Sequence, residues 1–182
     1  MSLPVFKYHP DPIETGSIEA REVECVCCGE VREYTYVGPV YAIADLDGAV
    51  CPWCISNGLA HQKYGADFTD IAAVGDYDYL SQKVRQQVKE EIAYRTPGFS
   101  GWQPERWPVH CDDACAFLGP AGRQEIESLE SQQLLDSLRK DMEMNEQDFQ
   151  QYFDTLDKHR SPTAYVFRCL HCGQYLGYSD CD

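Results

Sequence analysis

Two short stretches, Cys25-Val26-Cys27-Cys28-Gly29 and Cys51-Pro52-Trp53-Cys54, decide the fold of this chain. Each contains two cysteines separated by two residues, and 22 residues lie between Cys28 and Cys51. Two intervening residues let a tight turn bring both sulfurs to one edge of a tetrahedron, and the glycine supplies the positive φ that such a turn uses. The spacing is typical of a four-thiolate zinc site. It predicts a first zinc held by Cys25, Cys28, Cys51 and Cys54.

The sequence around these cysteines predicts a small zinc module over residues 1–64. Residues 31–37 alternate like a strand, and residues 40–44 resume the pattern after a Gly-Pro break. A short helix is expected over residues 55–64. This order of elements is typical of a treble-clef or zinc-ribbon module: first a knuckle, then a hairpin, then a second ligand pair at the start of a helix.

A second set of cysteines near the C-terminus predicts a second zinc site. Cys169-Leu170-His171-Cys172-Gly173 repeats the knuckle pattern, and it is paired here with Cys111 and Cys115 across 53 intervening residues. On a helix, positions i and i+4 point to the same side, which suits two ligands of one metal. His110 or His171 could instead replace one thiolate and give a site of three cysteines and one histidine.

Cys27 and Cys181 remain when two four-thiolate sites are filled. We interpret Cys27 as a buried apolar thiol and Cys181 as a thiol of the C-terminal tail. A nucleophilic role for either residue would require a lowered thiol pKa, which a sequence does not reveal.

The fold class expected from these patterns is α+β. Two small modules of zinc-ribbon or treble-clef type, built from β-hairpins with zinc knuckles, are joined by a helical middle region. The segments are residues 1–64, 65–110 and 111–182, and we expect them to form one compact unit. Hydrophobic periodicity adds a helix from about Asp78 to before Thr96, a helix over 122–142, a helix over 146–157 capped by Asn145, and strands over 164–167 and 174–178.

Residues 95–111 combine two tryptophans, three prolines and two glycines without a regular period. This composition predicts an irregular loop that leads into the second zinc site. Phe99, Trp102 and Trp107 have two interpretations. They either cap the junction between the modules, or they form a preformed surface that recognises a partner.

The charge of the chain limits its partners. Its 182 residues include 30 acidic and 15 basic side chains, for a formal net charge of -15. Phosphate binding requires clustered Lys and Arg, so the acidic excess argues against nucleic acid as a ligand. The acidic residues form either a solvated, solubilising surface or a face that attracts a basic protein partner. The longest apolar runs are far shorter than the roughly 20 residues of a membrane helix, and the N-terminus does not have the pattern of a secretory signal. We therefore expect a cytoplasmic protein.

Several motifs together resemble the CbrC family of bacterial proteins, which are labelled as colicin-tolerance proteins. The resemblance covers nearly the whole chain. It rests on the two knuckles, on Cys51-Pro52-Trp53-Cys54, on residues 95–103, and on His110-Cys111 with the stretch Cys115-Ala116-Phe117-Leu118-Gly119. The resemblance implies a bacterial cytoplasmic protein connected with a tolerance phenotype, and it supplies no catalytic residues.

Closed four-ligand zinc sites stabilise folds and leave no coordination position for a substrate. We therefore predict a non-enzymatic protein with two zinc ions that acts by binding another macromolecule. One alternative is an immunity-like role, in which the acidic chain inhibits a basic nuclease toxin. Another is a thiol or acid/base enzyme that uses Cys27 or His110. A third is a zinc reservoir or redox sensor with exchangeable metal and oxidisable ligands.

Overall fold

The computed structural model describes residues 2–75 and 85–182, and its strands in these ranges form small antiparallel sheets. The strands are β1 (Ile18–Glu19), β2 (Val23–Glu24), β3 (Val31–Arg32), β4 (Thr35–Tyr36), β5 (Val109–His110), β6 (Asp113–Ala114), β7 (Ala116–Ala121), β8 (Thr163–Arg168) and β9 (Tyr175–Asp180). The α-helices are α1 (Pro52–Ser56), α2 (Leu59–Tyr64), α3 (Gln86–Arg95), α4 (Arg123–Ser128), α5 (Gln132–Asp141) and α6 (Glu146–Phe153). In the described ranges, none of these helices has the length and hydrophobicity needed to cross a membrane.

The N-terminal part contains two separate strand pairs, β1 with β4 and β2 with β3. The expected continuous strand over residues 31–37 is therefore wrong. Thr35 and Tyr36 are both buried, so the chain leaves the alternating pattern after β3 and turns inward, where the Tyr36 N–H donates to the Val50 carbonyl at 2.9 Å. In the expected strand over 40–44, only Tyr41 pairs, in an isolated bridge with Asp67.

The helix expected over residues 55–64 is two shorter helices. α1 already begins at Pro52, which suits the first position of a helix because its missing N–H would have no partner there. Gly58 has φ 75°, which ends this first turn and starts α2 in a new direction.

The C-terminal half is built on the three-stranded sheet β7–β8–β9. β8 contains the strand predicted over 164–167, and β9 begins at Tyr175, one residue after the start of the strand predicted over 174–178, so both strands are confirmed. α5 packs on β9 at Gly177, where a Cβ atom would lie only 2.9 Å from Leu134 Cδ1. The Phe117 N–H of β7 donates to the Tyr8 carbonyl at 2.8 Å, so the N-terminal segment covers the opposite edge.

The helix predicted over 122–142 is interrupted. Glu130 adopts φ 47° between α4 and α5, and the Ser131 side chain then accepts a hydrogen bond from the Leu134 N–H, starting a new helix. The predicted Asn145 cap is confirmed, because its side chain accepts from the Asp148 N–H at 3.0 Å, but α6 ends at Phe153.

α3 corresponds to the C-terminal part of the helix predicted to begin near Asp78, and it ends at the expected residue, Arg95. Residues 78–84 of that prediction lie outside the described ranges.

The irregular loop after α3 contributes to the core. Phe99 stacks on Phe117 with 3.9 Å between ring centroids, and the Trp107 indole N–H donates to the Cys115 carbonyl at 2.8 Å. Both aromatic residues belong to a buried cluster that also contains Tyr8, from the N-terminus, and Tyr178, from β9. The core therefore joins parts of all three predicted segments.

Candidate metal centres

The first knuckle, residues 25–30, is shaped by two backbone hydrogen bonds. The Gly29 N–H donates to the Cys25 carbonyl at 2.7 Å, and the Cys25 N–H donates to the Glu30 carbonyl at 2.9 Å. Gly29 has φ 71°, the left-handed conformation that the C-x-x-C-G pattern predicts. The turn places the Cys25 and Cys28 side chains together.

The second pair of cysteines lies at the start of α1. Cys51 is the N-cap residue, and its backbone N–H donates to Cys25 Sγ at 3.3 Å. Cys54 lies one turn further on, with its Sγ 3.7 Å from Cys25 Sγ. The sulfurs of Cys25, Cys28, Cys51 and Cys54 all lie within 4.8 Å of one another, so the structure brings together the four residues predicted from the sequence.

The spacing of these sulfurs fits a tetrahedral metal ion. A Zn–S bond of about 2.3 Å gives a tetrahedron whose S–S edges are about 3.8 Å, close to the Cys25–Cys54 separation of 3.7 Å. Hydrogen bonds from the Cys51 and Cys54 side chains hold the pKa of Cys25 below that of an ordinary thiol. Cys25, Cys51 and Cys54 are buried and Cys28 is half-buried, so this centre is closed to solvent.

The second knuckle, residues 169–174, repeats the hydrogen bonds of the first. The Gly173 N–H donates to the Cys169 carbonyl at 3.1 Å, the Cys169 N–H donates to the Gln174 carbonyl at 2.8 Å, and Gly173 has φ 76°. Burial opposes ionisation of Cys169, but the backbone N–H groups of Cys172 and His171 outweigh it and lower the pKa of Cys169 to about 6.

The partner segment of this knuckle is a hairpin, and the helix expected over residues 111–115 is wrong. His110 pairs with Asp113 across β5 and β6, and Cys111 and Asp112 form the two-residue loop with φ 53° and 59°. Positive φ at both loop residues is the requirement of a type I′ turn. Cys115 follows the hairpin and is fully buried in the core, so positions 111 and 115 do not share a helix face.

The second cluster therefore consists of His110, Cys111, Cys169 and Cys172, whose ligand atoms lie within 4.8 Å of one another. Nδ1 of His110 is 3.2 Å from Cys111 Sγ and 3.4 Å from Cys172 Sγ. A tetrahedral zinc with one nitrogen ligand would have S–N edges of about 3.5 Å, so these distances also fit. Cys115 is outside the cluster, and of the two histidines considered from the sequence, His110 is the one that joins it.

His171 instead contacts Asp113, a buried carboxylate that no motif in the sequence predicts. Asp113 accepts hydrogen bonds from Lys7 Nζ at 2.8 Å, from the Tyr8 hydroxyl at 2.7 Å and from His171 Nε2 at 3.0 Å. Burial raises the pKa of Asp113, but the bonds from Lys7, Tyr8 and His171 outweigh it and hold that pKa at about 2. No spacing rule connects residues 7, 113 and 171, although a charged residue inside a hairpin is a weak signal.

The two centres differ in their access to solvent. Cys111 and Cys172 of the second cluster are exposed, whereas Cys169 is buried. Cys172 also lines a cleft of about 440 Å³ between the second knuckle and the link from α4 to α5, together with Glu130 and Tyr175. Small molecules can therefore reach a sulfur of the second centre directly.

The other residues singled out from the sequence lie apart from the two clusters. Cys27 is fully buried, as expected, and burial raises its pKa to about 12. Cys181 is exposed. Phe99 and Trp107 are core residues, so the interpretation of these two as an exposed recognition surface is wrong. Trp102 is 46% exposed and lies on the surface.

The fold and the clusters define a mixed α/β protein with small β-hairpins and two four-residue Cys/His centres able to hold metal ions. Residues 3–181 match the model of an uncharacterised protein family, UPF0167, and the chain belongs to this family.

Similar proteins occur in Mycobacterium and Pseudomonas. UPF0167 protein Mb2317 of Mycobacterium bovis and UPF0167 protein MT2352 of Mycobacterium tuberculosis are each 48% identical over 182 residues, covering 98% of this chain and 93% of the relative. UPF0167 protein PA1536 of Pseudomonas aeruginosa is 43% identical over 173 residues, covering 94% of this chain and 93% of the relative. No solved structure gives a significant match.

Proposed function

We propose that this protein is a non-enzymatic scaffold with two structural zinc ions, and that it acts by binding another macromolecule. The observation that carries the proposal is the pair of four-donor clusters, each with its ligand atoms within 4.8 Å. Four protein ligands complete the coordination of zinc, so neither site keeps a position for water or substrate. Bound zinc would supply cross-links between segments distant in sequence, as structural zinc does in small domains.

The donor sets favour zinc over harder cations. Cys₄ and Cys₃His are sets of soft ligands, and their tetrahedral arrangement suits Zn²⁺. At the second centre, the backbone gives further support. Placing Cys111 and Asp112 in the left-handed region costs about 1–2 kcal/mol per residue, and metal binding to Cys111 Sγ would offset it.

The local architecture suggests two kinds of zinc module. The first centre combines a knuckle with a ligand pair at the start of α1, which is the arrangement of a treble clef. The second combines a knuckle with the β5–β6 turn, which is closer to a zinc ribbon. We also place the protein in the cytoplasm, where reducing conditions keep these thiols available as ligands.

The partner we favour is a basic protein surface. The formal charge of -15 is large for 182 residues and attracts basic partners over long range. Trp102 offers a contact residue, because its indole is partly exposed and held in one orientation. The Trp102 Nε1–H donates to Thr163 Oγ1 at 3.0 Å, and the neighbouring Gln103 N–H donates to Asp180 Oδ2 at 3.1 Å. A preorganised tryptophan loses little entropy on binding.

The resemblance to colicin-tolerance proteins suggests a narrower form of this proposal, an immunity-like inhibitor of a basic nuclease toxin. The same charge supports it, since electrostatic steering speeds association between nuclease toxins and their inhibitors. Thiol or acid/base catalysis has less support. Cys27 is fully buried, and His110 lies within the second ligand set.

Elemental analysis of the purified protein tests the two zinc sites. We expect two zinc ions per chain, and one ion in Cys28→Ser, Cys111→Ser and His110→Ala. The matched controls are Cys115→Ala and Cys27→Ala, which remove buried cysteines outside both clusters and should keep two ions. A loss of zinc in Cys115→Ala with retention in His110→Ala would contradict the proposed second ligand set.

Binding to purified basic nuclease domains tests the immunity-like form. We expect affinity at low salt that weakens as salt rises, and a further loss in Trp102→Ala. Val5→Ala, which removes another exposed apolar side chain, is the control. No binding to any such domain at low salt would end this form and leave the zinc scaffold standing.

A further inference from the structure

The second metal centre has two features that the first one does not share. Two of its sulfurs, Cys111 and Cys172, are exposed, and Cys172 faces a cleft large enough for small molecules. These two residues come from different segments, the β5–β6 turn and the second knuckle. Because their Sγ atoms lie within 4.8 Å, small side-chain movements can bring them to bonding distance.

We propose that the second centre is an oxidation site, at which peroxide converts Cys111 and Cys172 to a disulfide and the metal is lost. This inference rests on the proposed zinc binding. The first centre is less accessible to peroxide, because Cys25, Cys51 and Cys54 are buried and Cys28 is half-buried.

The chemistry requires only the two thiolates and one molecule of hydrogen peroxide. One thiolate attacks a peroxide oxygen, the O–O bond breaks, and a sulfenic acid and hydroxide form. The second thiolate attacks the sulfenic sulfur, the S–S bond forms, and a second hydroxide leaves. The two sulfurs are oxidised and the peroxide oxygens are reduced. His110 and Cys169 remain as two donors, too few to retain a zinc ion held before by four.

Oxidation at this centre has a structural consequence for the N-terminal segment. Cys111 lies in the turn that leads into β6, where Asp113 accepts hydrogen bonds from Lys7 and Tyr8. A disulfide in place of the metal would displace this turn and weaken both bonds. The oxidised protein should therefore show faster hydrogen exchange at the Phe117 N–H, which donates to the Tyr8 carbonyl.

The test uses the full-length protein carrying Cys181→Ser, which removes the exposed tail thiol outside the clusters. Zinc content is measured first, and a value below two ions per chain would count against the proposed zinc binding itself. Peroxide is then titrated while a chromogenic chelator reports released zinc and mass spectrometry maps the disulfide. We expect release of about one zinc per chain and a Cys111–Cys172 disulfide.

The variants Cys111→Ser and Cys172→Ser should form no such disulfide, and Cys27→Ala should behave like the parent. Faster hydrogen exchange at the Phe117 N–H should accompany zinc release. Any of four outcomes would overturn the inference. They are two zinc ions that resist peroxide, parallel release from both centres, a disulfide between Cys169 and Cys172, and zinc release with unchanged exchange at the Phe117 N–H.

Discussion

The carboxylate of Asp113 and the hydroxyl of Tyr8 meet at 2.7 Å, although the two residues are 105 positions apart in sequence. Both side chains are buried, and the contact joins the N-terminal segment to the turn that carries Cys111. Lys7 and His171 also contact Asp113, but their side chains are each 55% exposed. The buried contact with Tyr8 is therefore the one that water cannot replace.

Replacing Asp113 by alanine should lower the free energy of unfolding by about 1–3 kcal/mol, because the Tyr8 hydroxyl would lose its acceptor in a buried position. Lys7→Met removes the half-exposed ion pair and the Lys7 Nζ hydrogen bond to the Tyr8 hydroxyl, and it should cost less than about 1 kcal/mol. Urea denaturation of the metal-loaded proteins measures both values.

The double variant Asp113→Ala/Tyr8→Phe serves as the control for that comparison. Removing both partners leaves no unpaired Tyr8 hydroxyl, so its destabilisation should be smaller than the sum of the two single variants. Simple additivity would show that the hydrogen bond does not link the two segments.

A second prediction concerns Gly98, in the loop after α3. A Cβ atom at this position would lie 1.8 Å from the Phe68 carbonyl oxygen, a clash with backbone that no rotamer change relieves. Gly98→Ala should therefore destabilise the protein by more than about 2 kcal/mol.

Gly65→Ala is the matched control in thermal unfolding experiments. Gly65 has φ 61° and open space around its missing Cβ, so alanine there should cost only about 1 kcal/mol of conformational strain. Equal shifts in the melting temperature of the two variants would contradict the close approach at Gly98.

The knuckles were predictable from sequence because the motif specifies its own geometry. In C-x-x-C-G, the hydrogen bonds run between residues at most five positions apart, and Gly29 and Gly173 take the required positive φ. The second cysteine pair, at the start of α1, was also predictable from sequence, since Cys51-Pro52-Trp53-Cys54 repeats the same local spacing.

The ligands of the second centre depend on tertiary structure instead. The spacing of Cys111 and Cys115 suits a helix, yet the segment forms a hairpin in which Val109 pairs with Ala114 and Cys115 turns into the core beside Trp107. Packing of that buried strand overrides the local pattern. The interruption of the predicted 122–142 helix at Glu130 could not be predicted from sequence either, because the apolar residues of α4 and α5 keep helical spacing across it.

The two knuckle glycines allow a third prediction, that strain at one knuckle affects one metal only. Gly29→Ala and Gly173→Ala each force an alanine into a left-handed conformation, at about 1 kcal/mol. Gly29→Ala should weaken zinc binding at the first centre, and Gly173→Ala at the second.

Competition with a chelator, followed by cysteine alkylation and mass mapping, identifies which centre loses its metal first. Gly16→Ala, with φ 79° and no ligand nearby, controls for strain outside the knuckles. Loss from both centres in either knuckle variant would mean that the two sites do not bind metal independently.

The last prediction is a pH dependence that originates at His9. This side chain is fully buried, with Nδ1 2.7 Å from the Pro97 carbonyl oxygen, Nε2 2.6 Å from Thr15 Oγ1, and the ring edge-on to Phe117. Burial lowers the pKa of His9 from 6.5 to about 4. The unfolded chain therefore binds a proton at a pH where the folded chain does not.

The free energy of unfolding should consequently fall as the pH drops from about 6.5 to about 4. His9 alone should account for a loss on the order of 3 kcal/mol, and the stability that is lost in this range should be fully present above pH 6.5. Thiolate ligands also take up protons in acid, so wild type must be compared with a variant. His9→Gln cannot titrate, and its free energy of unfolding should change less than that of wild type over this range, when zinc content is matched. Parallel pH profiles for the two proteins would mean that His9 is not held neutral by its surroundings.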